Sequence, residues 1–229
     1  MHSSRMPNDL TLSQYLSRTQ FLRERCHNRR VLHLGCSSGR YVNDRLQRGS
    51  LLHVILAEEA EELYGLDLDA TSLELLRQLG FTHLYQGNAE KLEELDLRET
   101  FDVVLAGDLL EHITKPGAML DGVKRFLKPT GQFIVSTNNA FGLHYQLRRW
   151  MGNYVEHIEH VCFFSPETLL NLFQRHKYRV LEMYGAYTEP PHSWQQKVKF
   201  AIGHSVFKLA PVLAGTIIVV ATPQGDQSS

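Results

Sequence analysis

Residues 30–39, RVLHLGCSSG, carry the decision about the fold. Val31–Leu34 is a short apolar run of strand length, and it passes directly into a loop of small residues. Gly35 and Gly39 flank that loop and let a ligand approach the backbone closely. Working outward, the chain alternates. The stretch from Leu51 to Glu62 predicts a helix. LYGLDLD (63–69) predicts a strand ending in acid, and Ala70–Leu79 a helix stopped by Gly80. HLYQG (83–87) is a third strand, and FDVVLAG (101–107) a fourth, apolar enough to be buried on both faces. Pro116 opens a helix that runs to Leu127, with Pro129 just past its end. GQFIVST (131–137) is the fifth strand. Strands and helices alternating at this spacing give βαβ units and a doubly wound parallel sheet.

Toward the N-terminus, Leu12, Tyr15, Leu16, Thr19 and Leu22 recur at helical spacing. They predict a helix from Asp9 to about Cys26, with Asp9 as its cap. Beyond Thr137 the rhythm breaks. Residues 138–165 are aromatic, basic and rich in histidine. Ser165-Pro166-Glu167 opens a helix to His176, and Tyr178–Tyr184 reads as a strand. A second irregular stretch covers 185–213, with an amphipathic helix expected from Trp194 to Leu209, and Gly215–Ala221 is the last strand. The expected organisation is a single domain over 1–229. It comprises an N-terminal helix in 1–29, a ligand-binding core in 30–137, and two insertions, 138–165 and 185–213, that form a lid or acceptor site.

The 229-residue chain is 43% hydrophobic and 21% charged, the composition of a globular domain rather than a disordered one. Its formal net charge of -1 provides no global field for polyanions, so no nucleic-acid partner is expected. Three widely spaced cysteines include no CxxC pair, which argues against a disulfide framework or a zinc knuckle. The N-terminus lacks an apolar signal region, and AGTIIVVA (214–221) is too short to span a bilayer. A soluble cytoplasmic protein is the expectation.

In an open parallel sheet the ligand sits beyond the carboxyl ends of the strands, where strand order reverses. Here Gly35 and Gly39 follow the first strand, Asp67 the second, and Asn88-Ala89 the third. A carboxylate at the second strand end can accept from both hydroxyls of a ribose, and an amide at the third can hold an adenine edge. Together they describe an adenosine pocket. The dinucleotide pattern GxGxxG fails at Ser37 and Arg40, and no GxxxxGK[ST] phosphate loop is present. A cofactor whose other end is an amino acid fits better than a nucleotide phosphate.

These motifs, in this order, resemble the class I S-adenosylmethionine (SAM)-dependent methyltransferases over roughly residues 30 to 221. VLHLGCSSG is similar to the family's VLDLGCGxG, LYGLDLD to its ribose site, and GNAEKL to GDAEEL. FDVVLAGDLLEHI resembles the fourth strand, and LKPTGQFIVSTNN resembles LKPGGxLxxSTPN. Within the family the chain looks most like the ubiquinone-type small-molecule methyltransferases. The resemblance implies a Rossmann-like sheet of seven strands, mostly parallel with an antiparallel last strand, and SAM as cofactor. It implies cofactor contacts from Gly35, Cys36, Ser37, Gly39, Asp67, Leu68, Asn88, Ala89, Asp108 and Leu109. The chain departs from the pattern at His33, where the family carries an acid, at Ser37 for glycine, at Asn88 for aspartate, and at Asn138-Asn139 for Pro-Asn.

Methyl transfer from a sulfonium needs alignment and a dry pocket, and an oxygen acceptor also benefits from a base. His112 after the fourth strand, with His157 and His160 in EHIEH, are the candidates for acceptor contact or proton transfer. The HxxH spacing brings the latter two onto one helical face. No third ligand accompanies them, so no metal is expected. Phe141, Tyr145, Arg148, Arg149 and Trp150 form an aromatic and basic cluster that reads as a packed lid helix or as an acceptor platform. It also admits weak contact with a membrane surface, as do Lys197, Lys199, Phe200, Phe207 and Lys208. The expected partner is a small-molecule acceptor, with oxygen preferred by the resemblance. A non-catalytic SAM-binding or partner-binding module remains the alternative, motivated by His33 and Asn88.

Overall fold

The structure, a computed structural model, describes residues 12–152, 157–188 and 205–225. Its strands are β1 (Tyr15–Ser17), β2 (Arg30–Leu34), β3 (Glu62–Asp67), β4 (Leu84–Gln86), β5 (Phe101–Gly107), β6 (Leu127–Asn138), β7 (Tyr178–Tyr187) and β8 (Thr216–Pro223). Its α-helices include α1 (Arg18–Cys26), α2 (Val42–Gln47), α3 (Leu52–Ala57), α4 (Ala70–Gln78), α5 (Pro116–Val123), α6 (Leu143–Trp150) and α7 (Pro166–Arg175), and residues 205–209, at the end of the helix expected over 194–209, are also helical.

The strands form one sheet in the order β1-β7-β8-β6-β5-β2-β3-β4. Strands β4, β3, β2, β5 and β6 pair in parallel, and β8 runs antiparallel to both β6 and β7. The expected doubly wound architecture with a reversed last strand is therefore present, with eight strands rather than seven.

The extra strand is β1, which pairs parallel with Gly185–Tyr187 of β7. It occupies residues that the helical periodicity assigned to the N-terminal helix. The periodicity was ambiguous there, because Tyr15-Leu16-Ser17 satisfies its backbone at the sheet edge instead. The helix proper begins at Arg18, where the Ser17 hydroxyl accepts from the Gln20 amide at 3.4 Å and replaces Asp9 as the cap. Asp9 itself lies outside the described residues. Strand β7 runs on to Tyr187, so residues 185–187 belong to the sheet and not to the second insertion. The helix expected from Leu51 is shorter than expected and ends at Ala57, with Glu62 already in β3.

Alternation along the central strands sorts their side chains onto two faces. Leu32, Leu34, Val104, Ala106, Phe133 and Val135 pack with Met119, Leu120, Leu169 and Phe173 of α5 and α7. Val31, Val103, Leu105 and Ile134 pack on the other face with Phe21, Leu22, Leu52 and Leu56 of α1 and α3. Helices thus cover both faces, which is why β5 is apolar along its length except at Asp102, near its start. The switch in strand order falls between β2 and β5. The carboxyl ends of these two strands, carrying Gly35 and Asp108, open the crevice where a ligand belongs.

Candidate functional site

The small-residue loop is tied to β3. The Gly35 amide donates to the Leu66 carbonyl at 2.8 Å, and the Ser37 amide donates to Asp67 Oδ2 at 2.9 Å. Gly35 has φ of +71°, and a Cβ placed there would stand 3.0 Å from Leu109 Cδ1. A side chain at position 35 would therefore meet both backbone strain and the residue that faces it across the crevice. Gly39 is also left-handed, at φ +51°, with open space around it. The Cys36 side chain is buried in the core beside Gly65, and burial pushes its thiol up, so it contributes no nucleophile.

Asp67 ends β3 half-buried, with Oδ1 accepting from the Asp69 amide at 3.1 Å while Oδ2 is held by Ser37. Two amides thus fix the carboxylate, and each oxygen keeps a lone pair for a hydroxyl. Leu68 beside it is exposed. Next to it a cleft of about 330 Å³ opens between Leu66, Tyr85, Gln86, Gly87, Asn88 and Leu95. Asn88 Oδ1 accepts from the Glu90 amide at 2.8 Å, so the amide expected to face adenine also closes its own turn. Ala89 packs against the core.

At the end of β5 the structure shows a residue that sequence reasoning missed. Arg18, the first residue of α1, is buried with its Nε donating to Ser136 Oγ at 2.7 Å and its guanidinium 3.2 Å from Asp108 Oδ2. Asp108 holds φ of +52°, and its amide donates to the Ser136 carbonyl at 2.8 Å. A cation and an anion therefore meet at the switch point, the arrangement that suits the carboxylate and ammonium of an amino acid. His33 sits beneath Arg18 and stacks on His53 with rings 5.5 Å apart. Burial, His53 and Arg18 hold it well below the usual imidazole range, so a neutral side chain stands where the family carries an acid. His53 Nε2 is buried with no hydrogen-bond partner among the described residues.

The three candidate histidines come together on the next turn. His112 Nδ1 faces the Glu159 carbonyl at 3.1 Å, and its ring lies 4.8 Å from His160 and 6.1 Å from His157. His157 and His160 are joined by a turn, with the His160 amide donating to the His157 carbonyl at 3.0 Å, not by the helical face that their spacing suggested. His157 Nε2 meets the Tyr41 hydroxyl at 2.7 Å, and Arg40 pairs with Glu159 at 3.1 Å. These contacts draw the 157–160 segment across to the glycine loop. A carboxylate oxygen of Glu111 and one nitrogen each of His112 and His160 lie within 4.8 Å of one another. That is a grouping of donors that the expectation of no metal did not anticipate.

The aromatic cluster fares differently. Leu143, Tyr145 and Gln146 of α6 are half-buried, but Arg148, Arg149 and Trp150 are exposed, Trp150 by 90%, so the end of α6 does not match the packed-lid reading, one of the two readings of this cluster. Tyr145 donates to Asn138 Oδ1 at 3.0 Å, and Gln146 donates to the Ala140 carbonyl at 2.6 Å. Lys197, Lys199 and Phe200 lie outside the described residues. The Phe207 ring packs at a tilt against Tyr15, with 5.1 Å between ring centres.

A doubly wound sheet with one reversed strand, an acid pinned at the end of its third strand and a charged pair at its switch point together offer groups suited to an adenosine joined to an amino acid. The chain belongs to the methyltransferase domain family, whose model matches residues 9–183. SAM is the cofactor of this class, and the residues present fit it: a glycine cradle, a fixed carboxylate and the Arg18–Asp108 pair match its three parts. The chain is similar to the ubiquinone biosynthesis O-methyltransferase of Rhodopseudomonas palustris (strain TIE-1), at 31% identity over 48% of this chain and 40% of that one. It matches the protein of that name from Nitrobacter winogradskyi at 27% identity, over 76% and 70% of the two chains. The first match thus spans less than half the length of that relative. A SAM-dependent methyltransferase structure from Thermotoga maritima aligns with a TM-score of 0.60 at 18% identity, over 91% of this chain and 88% of that one, and shows the shared fold.

Proposed function

We propose that this protein is a cytoplasmic enzyme that transfers the methyl group of SAM to oxygen on a small-molecule acceptor. The observation that carries the reading is the row of groups along the strand ends. Asp67, the Arg18–Asp108 pair and the Glu111–histidine cluster stand in the order in which ribose, amino acid and acceptor would be met. When bound, SAM supplies an electrophilic methyl group on a sulfonium. Gly35, Cys36, Ser37 and Gly39 offer backbone, and Asp67 receives the ribose hydroxyls. Leu68, Asn88 and Ala89 border the adenine, and Leu109 packs between the two halves. Arg18 takes the carboxylate and Asp108 the ammonium, which compensates for the uncharged His33. His112, His157 and His160 form the acceptor side, and the insertions 138–165 and 185–213 shape it. The names of the relatives support oxygen as the atom methylated.

The α6 face supports a weak membrane-surface contact for an acceptor that partitions into lipid. Phe141, Leu147, Trp150 and Met151 are exposed there, Arg148 and Arg149 lie among them, and residues 139–152 contain no acid. No helix among the described residues is long and apolar enough to cross a membrane.

Calorimetric titration with SAM and S-adenosylhomocysteine tests the reading. Micromolar binding that disappears in Asp67→Ala is the expected result. No binding by the intact protein would overturn it and leave the non-catalytic partner-binding module.

A further inference from the structure

Among the described residues Glu111 is the only carboxylate in the buried set, at 2% exposure, and no lysine or arginine pairs with it. Thr137 at the end of β6 donates its hydroxyl to Glu111 Oε2 at 2.7 Å. The Glu111 carbonyl accepts the amides of Val161 and Cys162 at 2.8 and 3.1 Å, so the segment after His160 hangs from the same residue. The groups that face its carboxyl are Asp108 from the end of β5, His160 from the hanging segment, and the neighbouring His112. Arg18 acts on it only through Asp108, which it already neutralises in part. Burial first, and Asp108 second, push the Glu111 carboxyl up to about 7. An acid in that range is matched to proton transfer near neutral pH.

Resting on the methyltransferase reading, we propose that Glu111, rather than one of the histidines, is the group that takes the proton from the acceptor hydroxyl. The O–H proton passes to the Glu111 carboxylate as the acceptor oxygen bonds to the methyl carbon. The carbon–sulfur bond breaks, and its electron pair stays on sulfur. His112 is held by the Glu159 carbonyl and serves as a positioning residue. The proton leaves through His160 and then His157, which reaches the partly exposed Tyr41 hydroxyl. The arrangement explains why an uncompensated acid is buried at this strand end: it is kept dry beside the cofactor and wet only through imidazoles.

Two variants and two readouts test this on the full chain. In infrared titration of the protein without ligand, a protonated-carboxyl band should vanish with a midpoint near 7 and be missing from Glu111→Gln. A midpoint in the ordinary carboxylate range, or a band that survives the substitution, overturns the proposal. In turnover with SAM, the probes are catechol and 4-nitrocatechol, the second already ionised at the assay pH. Glu111→Gln should lose roughly 10²–10⁴-fold in kcat on catechol and little on 4-nitrocatechol, with SAM binding unchanged. Equal losses on both probes, or no loss, overturn it. Thr137→Val removes the hydroxyl that favours the ionised carboxylate and should move the acid limb of the rate profile to higher pH; an unmoved limb counts against the role. Loss of the intact protein's rate in EDTA, restored by a divalent cation, would reassign the cluster and overturn the proposal. Failure to bind SAM would sink the methyltransferase reading itself. A protein that binds SAM but turns over neither catechol would sink the oxygen premise, and the Glu111 role with it.

Discussion

Gly107 shows how much a single missing side chain can decide. A Cβ there would stand 2.7 Å from a terminal nitrogen of Arg18, at the far end of a flexible chain. Gly107→Ala should therefore displace the guanidinium from Asp108 without unfolding the strand. SAM affinity is expected to fall roughly tenfold or more, the worth of one charge-assisted hydrogen bond, while the denaturation midpoint changes little; calorimetry and urea unfolding check both. Glu111 has a second signature, in stability. Its folded value of about 7 lies above the ordinary 4.5, so the native state holds this proton more tightly than the unfolded chain. The contribution is complete below pH 4.5 and is lost as pH rises through about 7. Glu111→Gln should accordingly stabilise the protein at pH 8 by about 1–3 kcal/mol and leave it unchanged at pH 4, as read by denaturant unfolding. Neither Arg18 nor Glu111 was legible as functional from sequence. Arg18 looked like one polar position of a helix, because its partners Ser136 and Asp108 lie far along the chain. Glu111 looked like the neighbour of a more interesting histidine, because burial is invisible without the fold.

At the level of elements, α6 is amphipathic yet has no fully buried residue, and its last turn is basic. If the face meets a bilayer, the protein should cosediment with vesicles containing anionic lipid and not with neutral ones. Replacing Arg148 and Arg149 should weaken that by about 1 kcal/mol for each arginine; equal binding to both vesicle types would exclude the electrostatic part. Legibility here followed packing. Phe101–Gly107 was read to the residue because, apart from Asp102, a strand covered on both faces is an unbroken apolar run that ends at Gly107. Proline and glycine marked the start of α5 and the end of α4 in the same way. β1 could not be read, since three residues with helical spacing became a strand through pairing with residues 185–187. α6 was legible as a helix, but not its exposure.

For the whole molecule, the crevice proposed for the cofactor joins loops from β2, β3, β5 and β6 with the start of α1, so ligand and fold should stabilise each other. SAM at a hundred times its dissociation constant is expected to add about 2.7 kcal/mol to the unfolding free energy. Asp67→Ala should abolish that gain in a thermal melt while costing less in the unliganded protein. A melt indifferent to SAM would contradict the pocket. The order of motifs announced the crevice, because each one follows a strand end. The acceptor side was only outlined, since its groups come from the irregular segments.

The short strand β1 sets a timetable. Its partner lies about 170 residues downstream, as the bond from Ser13 to the Met183 carbonyl records, and Arg18 follows it directly. On the ribosome, β1 must therefore wait until β7 has been made before it can dock. The parallel centre of the sheet can assemble earlier, but the guanidinium reaches Asp108 only once β7 has emerged. A nascent chain therefore completes the Arg18–Asp108 pair, proposed to hold the amino-acid end of the cofactor, only after β7 is made, later than the glycine loop and Asp67.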